Sequence, residues 1–235
     1  MSLKHFDSRS LVVFLLLTMP VLATAQNNLF STSALNPVGA GPAAIAHGDF
    51  NGDGRVDLAV ADFTGGSISI LLGTGDGNFQ PTVNYTVGRN ATGIVAGDFN
   101  RDGHLDLAIA YQDSNGRVTV FLGRGDGTFT QSFIYLVGTS PSAMCVSDFN
   151  GDGNLDLAVT SYGSTIGVSP GIVTILLGRG DGTFQVQTTT YSVGTVANTI
   201  AAGDFNGDGI SDLHRSDSSR LQRDADTDRA GRRGP

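Results

Sequence analysis

One internal repeat limits what this chain can fold into more than any other feature. The segment Gly48–Val60 contains Asp49, and similar segments place Asp98, Asp148 and Asp204 at spacings of 49, 50 and 56 residues. A second segment, Leu72–Phe79, recurs in the same phase at residues 122–129 and 177–184. Two markers in one phase indicate repeats of about 50 residues, each a unit that stacks on its neighbours. The longest spacing places an insertion in the Gly/Ser-rich stretch 161–171.

Each repeat contains four short apolar segments, which in the first repeat lie at residues 43–48, 58–61, 67–72 and 80–87. Glycine, asparagine or aspartate bounds them, which is typical of short antiparallel strands. All 22 acidic residues are Asp and Lys occurs once, so strong helix formers are scarce. The sequence therefore predicts an all-β fold of β-propeller-type four-stranded blades. A β-solenoid is the alternative, but its coils usually have shorter periods.

The loop between the first two predicted strands carries oxygen-bearing side chains at alternate positions. In the first repeat these are Asp49, Asn51 and Asp53 at positions 1, 3 and 5, with Gly54 at position 6 and Asp57 at position 9. Ca²⁺ takes six to eight oxygen ligands, and position 7 of such loops supplies a backbone carbonyl. Position 7 holds four unlike residues here, while positions 1, 3, 5, 6 and 9 do not change. This contrast predicts one structural Ca²⁺ per loop, three or four in all; a metal-free turn is the alternative.

Other metals and other calcium loops match this pattern less well. An EF-hand has a glutamate at position 12, whereas position 12 here is Val60, Ile109 or Val159, each inside an apolar strand. Mg²⁺ tends to keep its waters, and softer metals select His or Cys side chains, which these loops do not offer as ligands. Without a cation, carboxylates this close in sequence would repel one another.

The first 25 residues have the order of features found in a secretory signal peptide. Lys4 and Arg9 precede an apolar stretch at residues 11–22, and residues 23–25 form a small-x-small cleavage site. We therefore expect cleavage near Ala25–Gln26 and a secreted, extracellular or cell-surface protein, with a buried N-terminal strand or helix as the alternative. The apolar stretch is too short to span a membrane. Because Cys145 is the only cysteine, an intrachain disulfide is excluded, and we expect Cys145 in the core.

The repeated residues resemble the FG-GAP or VCBS-like repeat, the unit of the β-propeller of integrin alpha subunits and of many secreted bacterial proteins. The resemblance covers about residues 30–213 and implies a Ca²⁺-binding blade in each full repeat. Propellers of this family typically have seven blades, and this chain departs from that count. The implied ligands, with the residue at position 7 giving its backbone carbonyl, are Asp49, Asn51, Asp53, Arg55, Asp57, Asp98, Asn100, Asp102, His104, Asp106, Asp148, Asn150, Asp152, Asn154, Asp156, Asp204, Asn206, Asp208, Ile210 and Asp212.

The repeats predict an incomplete propeller of three full repeats plus part of a fourth, within residues 26–213. Their expected bounds are about 43–88, 92–138, 142–194 and 198–213, and residues 30–39 have the spacing of an outer strand without its own blade. Residues 214–235 lose the period and hold six Arg. We expect an Arg-rich disordered tail there, or a frame-shifted or truncated reading of a longer repeat protein, and weak binding at the fourth loop.

No catalytic constellation is visible in the sequence, so we do not expect an enzyme. Glu is absent, the only Lys lies before residue 26, and three His are spread over positions 47, 104 and 214 of the predicted mature chain. The repeats are acidic and lack a basic patch, which argues against a nucleic-acid partner. We expect an extracellular binding or adhesion module for a protein or carbohydrate ligand. The alternative is a propeller domain of an exported polysaccharide-acting enzyme, since similar propellers occur within such enzymes.

Three further features are interpreted as structural. The tripeptides beginning at Arg124 and Arg179 spell an adhesion motif, but the first repeat has Thr74 in the same turn, which favours a hairpin turn. We expect His47 to be solvated at a strand end. The phenylalanines at loop position 2 are expected in the core; they are Phe50, Phe99, Phe149 and Phe205.

Overall fold

The computed structural model describes residues 36–88, 90–113, 115–162, 170–187, 190–193 and 197–217. Every regular element in these ranges is a β-strand. The predicted signal peptide, most of the predicted outer strand at residues 30–39, and the tail from residue 218 onward lie outside the described residues. Within the described ranges, no helix long and apolar enough to cross a membrane is found.

The described residues contain fifteen strands, which form three antiparallel blades and one hairpin. The strands are β1 (Pro42–Gly48), β2 (Asp57–Asp62), β3 (Ser67–Leu71), β4 (Val83–Thr86), β5 (Ala91–Gly97), β6 (Asp106–Tyr111), β7 (Arg117–Gly123), β8 (Phe129–Leu136), β9 (Pro141–Ser147), β10 (Asp156–Ser161), β11 (Ile172–Gly178), β12 (Phe184–Val186), β13 (Tyr191–Ser192), β14 (Ala197–Gly203) and β15 (Asp212–Asp217). The first blade has the order β1-β2-β3-β4, the second β5-β6-β7-β8, and the third β9-β10-β11, with β12 and β13 both pairing with β11; β14 and β15 form the hairpin.

The prediction of four-stranded blades is confirmed for the repeated unit. The second strand of each blade is buried at nearly every position and has an apolar stretch at its centre. In β6 and β10 all six residues are buried. The outer strands β4 and β8 are mostly exposed. The register is continuous along β2 and β3, where Leu58 lies opposite Leu71.

The hydrophobic core lies between successive blades. One cluster joins the first blade to the second and contains Ile68, Ile94 and Leu107. Another joins the second blade to the third and contains Val118, Leu157 and Leu176. A smaller cluster around Val173 and Ile175 includes Ile200 of the hairpin. Each blade therefore obtains its burial from its neighbours in the chain.

Aromatic residues fix the distance between blades. The Phe50 ring meets Phe129 of the second blade edge-to-face at 5.6 Å, and Tyr85 meets the same ring at 6.1 Å. The Gly127 N–H donates to the Phe50 carbonyl at 2.9 Å, and the Phe129 N–H donates to the Tyr85 hydroxyl at 3.2 Å. The second and third blades repeat this arrangement, with the corresponding residues Phe99, Phe184, Tyr135 and Gly182.

Two expectations need correction in the hairpin. Phe205 is 63% exposed, whereas Phe50 and Phe99 are 2% exposed, because no described blade packs over the hairpin. Phe149 is half-buried. The predicted boundary at residue 213 lies inside β15, which continues to Asp217 and places His214 opposite Ala201. Backbone pairing with β14 extends the strand there without the apolar side chains of the other repeats.

Candidate metal centre

The Asp loops join the innermost strand of each blade to the second strand, and all four lie in the described residues. In the first loop, the Asp49 carboxylate accepts the N–H groups of Asp53 at 3.1 Å and Gly54 at 2.8 Å. The Asp53 N–H also reaches Asn51 Oδ1 at 3.0 Å, and Asp53 Oδ1 accepts the Arg55 N–H at 2.9 Å. The side chains at positions 1, 3 and 5 therefore face the inside of the loop.

The same hydrogen bonds recur in the other loops. Position 1 accepts the N–H of the position 6 glycine at 2.9 Å in the second loop, 2.7 Å in the third and 2.9 Å in the fourth. That glycine has a positive φ throughout, for example 79° at Gly54 and 86° at Gly103, which explains why no other residue occupies position 6. The loop conformation is thus a property of the motif and does not vary with the residue at position 7.

The aspartate at position 9 has a different environment from the other carboxylates. Asp57, Asp106 and Asp156 are 0% exposed. Asp57 Oδ2 accepts the Phe50 N–H at 2.8 Å, and Oδ1 accepts the Gly73 N–H at 2.7 Å. This carboxylate therefore ties the Asp loop to the end of the third strand. The second and third loops repeat both bonds, at 2.9 and 2.8 Å in each.

Burial and neighbouring charge both raise the pKa of two position 9 carboxyls, those of Asp106 and Asp156. Burial raises the pKa of Asp106 to about 6, although the N–H groups of Gly123 and Phe99 act in the opposite direction. The charges of Asp102 and Asp98 raise this pKa further. Burial also raises the pKa of Asp156, assisted by the charges of Asp152 and Asp148. Like charges within a loop thus disfavour the ionised form of its innermost carboxyl.

The described residues provide few positive charges to the loops. They contain two ion pairs, Arg55–Asp53 at 3.4 Å and Arg117–Asp113 at 2.9 Å. The second, third and fourth loops have no ion pair with another described residue. In these same ranges, no group of three or more His, Cys, Asp or Glu side chains is gathered into an arrangement that could hold a metal ion. Instead, each loop carboxylate is directed to backbone N–H donors.

The structure brings the side chains at positions 1, 3 and 5 of a loop together. The three carboxylates of the first loop, Asp49, Asp53 and Asp57, each accept a backbone N–H. The backbone partners of position 9 were not identified from the sequence. These partners include the glycines at the end of the third strand of each blade, Gly73, Gly123 and Gly178. The sequence feature that could have identified these glycines is the second repeated segment, which begins at the residue before each of them.

The turn after the third strand carries one further aspartate in each full repeat. Asp126 accepts the N–H and the hydroxyl of Thr128 within its own turn, and both bonds hold its pKa below its ordinary value. Hydrogen bonding from the Thr74 hydroxyl, followed by Asn78, lowers the pKa of Asp76 to about 2. These carboxylates are occupied by the turn itself.

The fourth loop keeps the ring of hydrogen bonds but lacks the second anchor. The Phe205 N–H donates to Asp212 at 3.1 Å, and the Asn206 amide reaches the other oxygen at 3.4 Å, where the full blades have a glycine N–H. Asp204 and Asp208 are exposed. His47, His104 and His214 are all exposed and Cys145 is half-buried, so none of them joins a buried reactive cluster.

The comparison with known families follows the same loops. The sequence matches the FG-GAP-like repeat over residues 49–109, 98–159 and 148–214. The chain belongs to the FG-GAP-like repeat family. Each match of this FG-GAP-like protein begins at position 1 of one Asp loop and runs past the next loop.

Comparison with curated proteins gave no significant match. Among solved structures, the chain is similar to the K499G mutant of NanB sialidase from Streptococcus pneumoniae, with 15% sequence identity and a TM-score of 0.45. The similarity covers 63% of this chain and 24% of the sialidase chain, so this chain spans about a quarter of that structure.

Proposed function

We propose that this FG-GAP-like protein is an exported, calcium-binding propeller module that binds an extracellular protein or glycan, with Ca²⁺ in a structural role. The proposal rests on one observation: the same loop occurs four times, and each of its inward-facing side chains has an oxygen atom that could coordinate a metal ion. Carboxylate and amide oxygens are the ligands that Ca²⁺ prefers.

The donor set matches Ca²⁺ in chemistry. Asp49, Asn51 and Asp53 would hold the ion in the first loop, with the backbone carbonyl of Arg55 and the carboxylate of Asp57 as the remaining protein ligands. The exposed carboxylate of Asp53 can turn from its backbone donor without unpacking the core. Asp57 is fixed by two N–H bonds, and a carboxylate oxygen has a second lone pair for a cation. The other three loops offer the equivalent atoms.

The electrostatics of the loops favour a bound cation. Neighbouring aspartate charges contribute to the raised pKa values of Asp106 and Asp156. A divalent ion would reverse this repulsion and favour the ionised carboxyls. Because position 9 also holds the end of the third strand, ordering the loop would stabilise the hairpin that completes the blade. Calcium would therefore act on the stability of the blades.

The proposals that the protein is exported and that it binds an extracellular ligand are supported by sequence features. The predicted signal peptide would deliver the chain to a compartment where calcium is millimolar, and weak structural sites are filled there. The stabilising effect follows from mass action: each site at ten times its dissociation constant adds about 1.4 kcal/mol to the free energy of unfolding. Rigid blades would then present the variable loops to a ligand.

Calcium titration of the purified protein tests the metal, with isothermal calorimetry for stoichiometry and thermal unfolding followed by circular dichroism. We expect at least three sites and a melting temperature that rises with calcium and falls with chelator. A triple change of Asp53, Asp102 and Asp152 to Asn should remove most of this rise, because it leaves only the fourth loop intact. A triple change of Asp76, Asp126 and Asp181 to Asn removes the same amount of charge from the turns after the third strands. This control variant should keep the rise in melting temperature with calcium. A folded protein whose melting temperature ignores calcium would contradict the proposal.

Ligand binding needs a separate measurement. The calcium-loaded protein should bind immobilised extracellular matrix proteins or a glycan array, and chelator should weaken binding in proportion to the loss of folded protein. Absence of binding to either class, by a protein shown to be calcium-loaded and folded, would leave the metal sites intact and refute the binding role.

A further inference from the structure

Two contacts recur where one blade meets the next. In the first, the glycine that ends the innermost strand receives the side chain at loop position 8 of the following blade. A Cβ atom at Gly48 would collide with Leu105 Cδ1, and one at Gly97 would lie 2.8 Å from Leu155 Cδ1. The glycine provides the space that the leucine fills.

In the second contact, the turn of the following blade covers the phenylalanine at loop position 2. Phe50 is buried under Phe129, and its carbonyl accepts the Gly127 N–H at 2.9 Å. Gly127 in turn lies against Leu72 of the preceding blade. The second and third blades make the same contact through Phe99, Phe184 and Gly182.

The hairpin β14–β15 has the glycine of the first contact and the phenylalanine of the second, but no described blade follows it to contact either residue. The three heavy atoms nearest to a Cβ atom at Gly203 would all belong to the ring of Phe205. Phe205 itself is 63% exposed. We call the surface formed by Gly203 and Phe205 the tail face.

The first blade presents the complementary half. Val56, at loop position 8, is 63% exposed, whereas the equivalent Leu105 and Leu155 are half-buried. A Cβ atom at Gly77, the equivalent of Gly127, would meet no heavy atom of any described residue within 4 Å, its two chain neighbours aside. We call the surface formed by Val56, Gly77 and the turn residue Phe79 the head face.

We propose that the tail face of one copy of this chain binds the head face of a second copy, and that two such contacts close a head-to-tail dimer. Val56 would enter the space at Gly203, Phe79 would cover Phe205, and the Gly77 N–H would donate to the Phe205 carbonyl. The occupant is a second copy because the first blade offers every group that the second and third blades use at their own junctions. Heterologous contacts form rings when the rotation closes, and two copies supply eight inner strands, within the range of closed propellers.

Sedimentation equilibrium of the purified protein in calcium-containing buffer tests the association. We expect twice the mass of one chain. Val56→Asp and Phe205→Asp should each raise the dissociation constant at least about tenfold, because either places an unpaired charge in an apolar contact. Val83→Asp is the matched control, since Val83 lies on the outer strand of the same blade and its equivalent, Phe133, stays exposed although its blade junction is formed. This variant should remain dimeric.

Disulfide trapping tests the geometry, in a Cys145→Ala background. Ser147 Oγ and Ser211 Oγ are 2.6 Å apart at the junction of the third blade with the hairpin, so cysteines at this pair of positions are within bonding reach. A chain with Val56→Cys mixed with a chain with Gly203→Cys should form a covalent dimer on oxidation. The variant Ser147→Cys/Ser211→Cys, which should form an intrachain bridge, shows that the oxidation works.

Three results would overturn the proposal. One is a monomeric mass at all concentrations from a folded protein, together with no trapping where the internal control forms its bridge. Another is a monomer-sized bridge in a chain that carries both Val56→Cys and Gly203→Cys, because the two faces would then meet within one molecule. The third is a ladder of higher multimers, which is incompatible with a closed dimer. None of these results depends on whether an extracellular ligand is found.

Discussion

The buried carboxyl of Asp106 leads to a prediction whose sign depends on calcium. Asp106 is 0% exposed and accepts the N–H groups of Phe99 and Gly123 at 2.9 and 2.8 Å. Burial nevertheless raises its pKa from 3.8 to about 6. At pH 7 without calcium, the carboxyl is mostly ionised in both the folded and the unfolded chain, and the raised pKa means that this ionisation costs more free energy in the folded state. We predict that Asp106→Asn, a neutral isostere, stabilises the protein in chelator.

The magnitude follows from the pKa. A rise of about two units corresponds to about 2 to 3 kcal/mol of difference between the two protonation states. Asn resembles the protonated acid, since each keeps one acceptor oxygen and places a donor group against the second N–H. The protonated carboxyl of wild-type Asp106 stabilises the folded state. This stabilisation is fully present below pH 3.8, the pKa of the unfolded chain, and is lost as the pH rises through about 6. The gain from Asp106→Asn should therefore be largest at pH 7 and nearly absent at pH 4.

Chemical unfolding in urea measures the change in the free energy of unfolding caused by Asp106→Asn. It is measured at pH 7 and pH 4 in chelator and at pH 7 in calcium. Under the proposed function, the ionised carboxylate is a ligand, so in calcium Asp106→Asn should destabilise the protein. Asp126→Asn, in an exposed turn, controls for the loss of one negative charge. If Asp106→Asn destabilises by more than about 1 kcal/mol at pH 7 in chelator, the two N–H bonds outweigh burial, and the reasoning from the raised pKa is refuted.

Three other predictions concern the blade junctions and turns. Gly48→Ala should destabilise by about 1 to 3 kcal/mol, because its Cβ collides with Leu105, and adding Leu105→Ser should recover part of this loss in a double-mutant cycle by urea unfolding; equal losses with and without Leu105→Ser would contradict the contact. Tyr135→Phe should cost about 1 kcal/mol, because the Phe184 N–H loses its acceptor at 2.9 Å, whereas the exposed Tyr191→Phe should cost almost nothing in the same assay. Thr74→Ala should raise the pKa of Asp76 from about 2 towards its usual value of 3.8, since the Thr74 hydroxyl is the main cause of the shift; an NMR titration that leaves this pKa unchanged would exclude that cause.

Much of the fold follows from local sequence, because each blade is built from neighbouring segments. The first three strands were predicted within about two residues, since apolar runs and glycine-bounded loops define them. The outer strands were less well defined: β4 begins at Val83 rather than residue 80, and β12 and β13 share the outer position of the third blade. Outer strands carry few buried side chains, so the sequence pattern restrains them weakly.

Parts of the site could not be predicted because identical residues lie in unlike surroundings. Phe50 and Phe205 occupy the same motif position, yet one is buried and the other exposed, and only the presence of a following blade separates them. Asp57 and Asp53 are both aspartates of one loop, but only Asp57 is buried between two backbone donors. Such differences depend on contacts with distant segments, which the spacing of a motif does not encode.

The serine pair at the last junction has a consequence for how the repeats sort themselves during folding. Nearly identical repeats can dock in the wrong order, a known hazard of repetitive chains. Here Leu105 or Leu155 placed on Ser147 would strike its side chain, and Ser211 placed on Gly48 or Gly97 would leave the space of a leucine empty. The hydrogen bond between Ser147 and Ser211 forms only when the hairpin follows the third blade. This serine pair therefore distinguishes the junction between the third blade and the hairpin from the two glycine–leucine junctions, and it disfavours docking of the hairpin on the wrong blade.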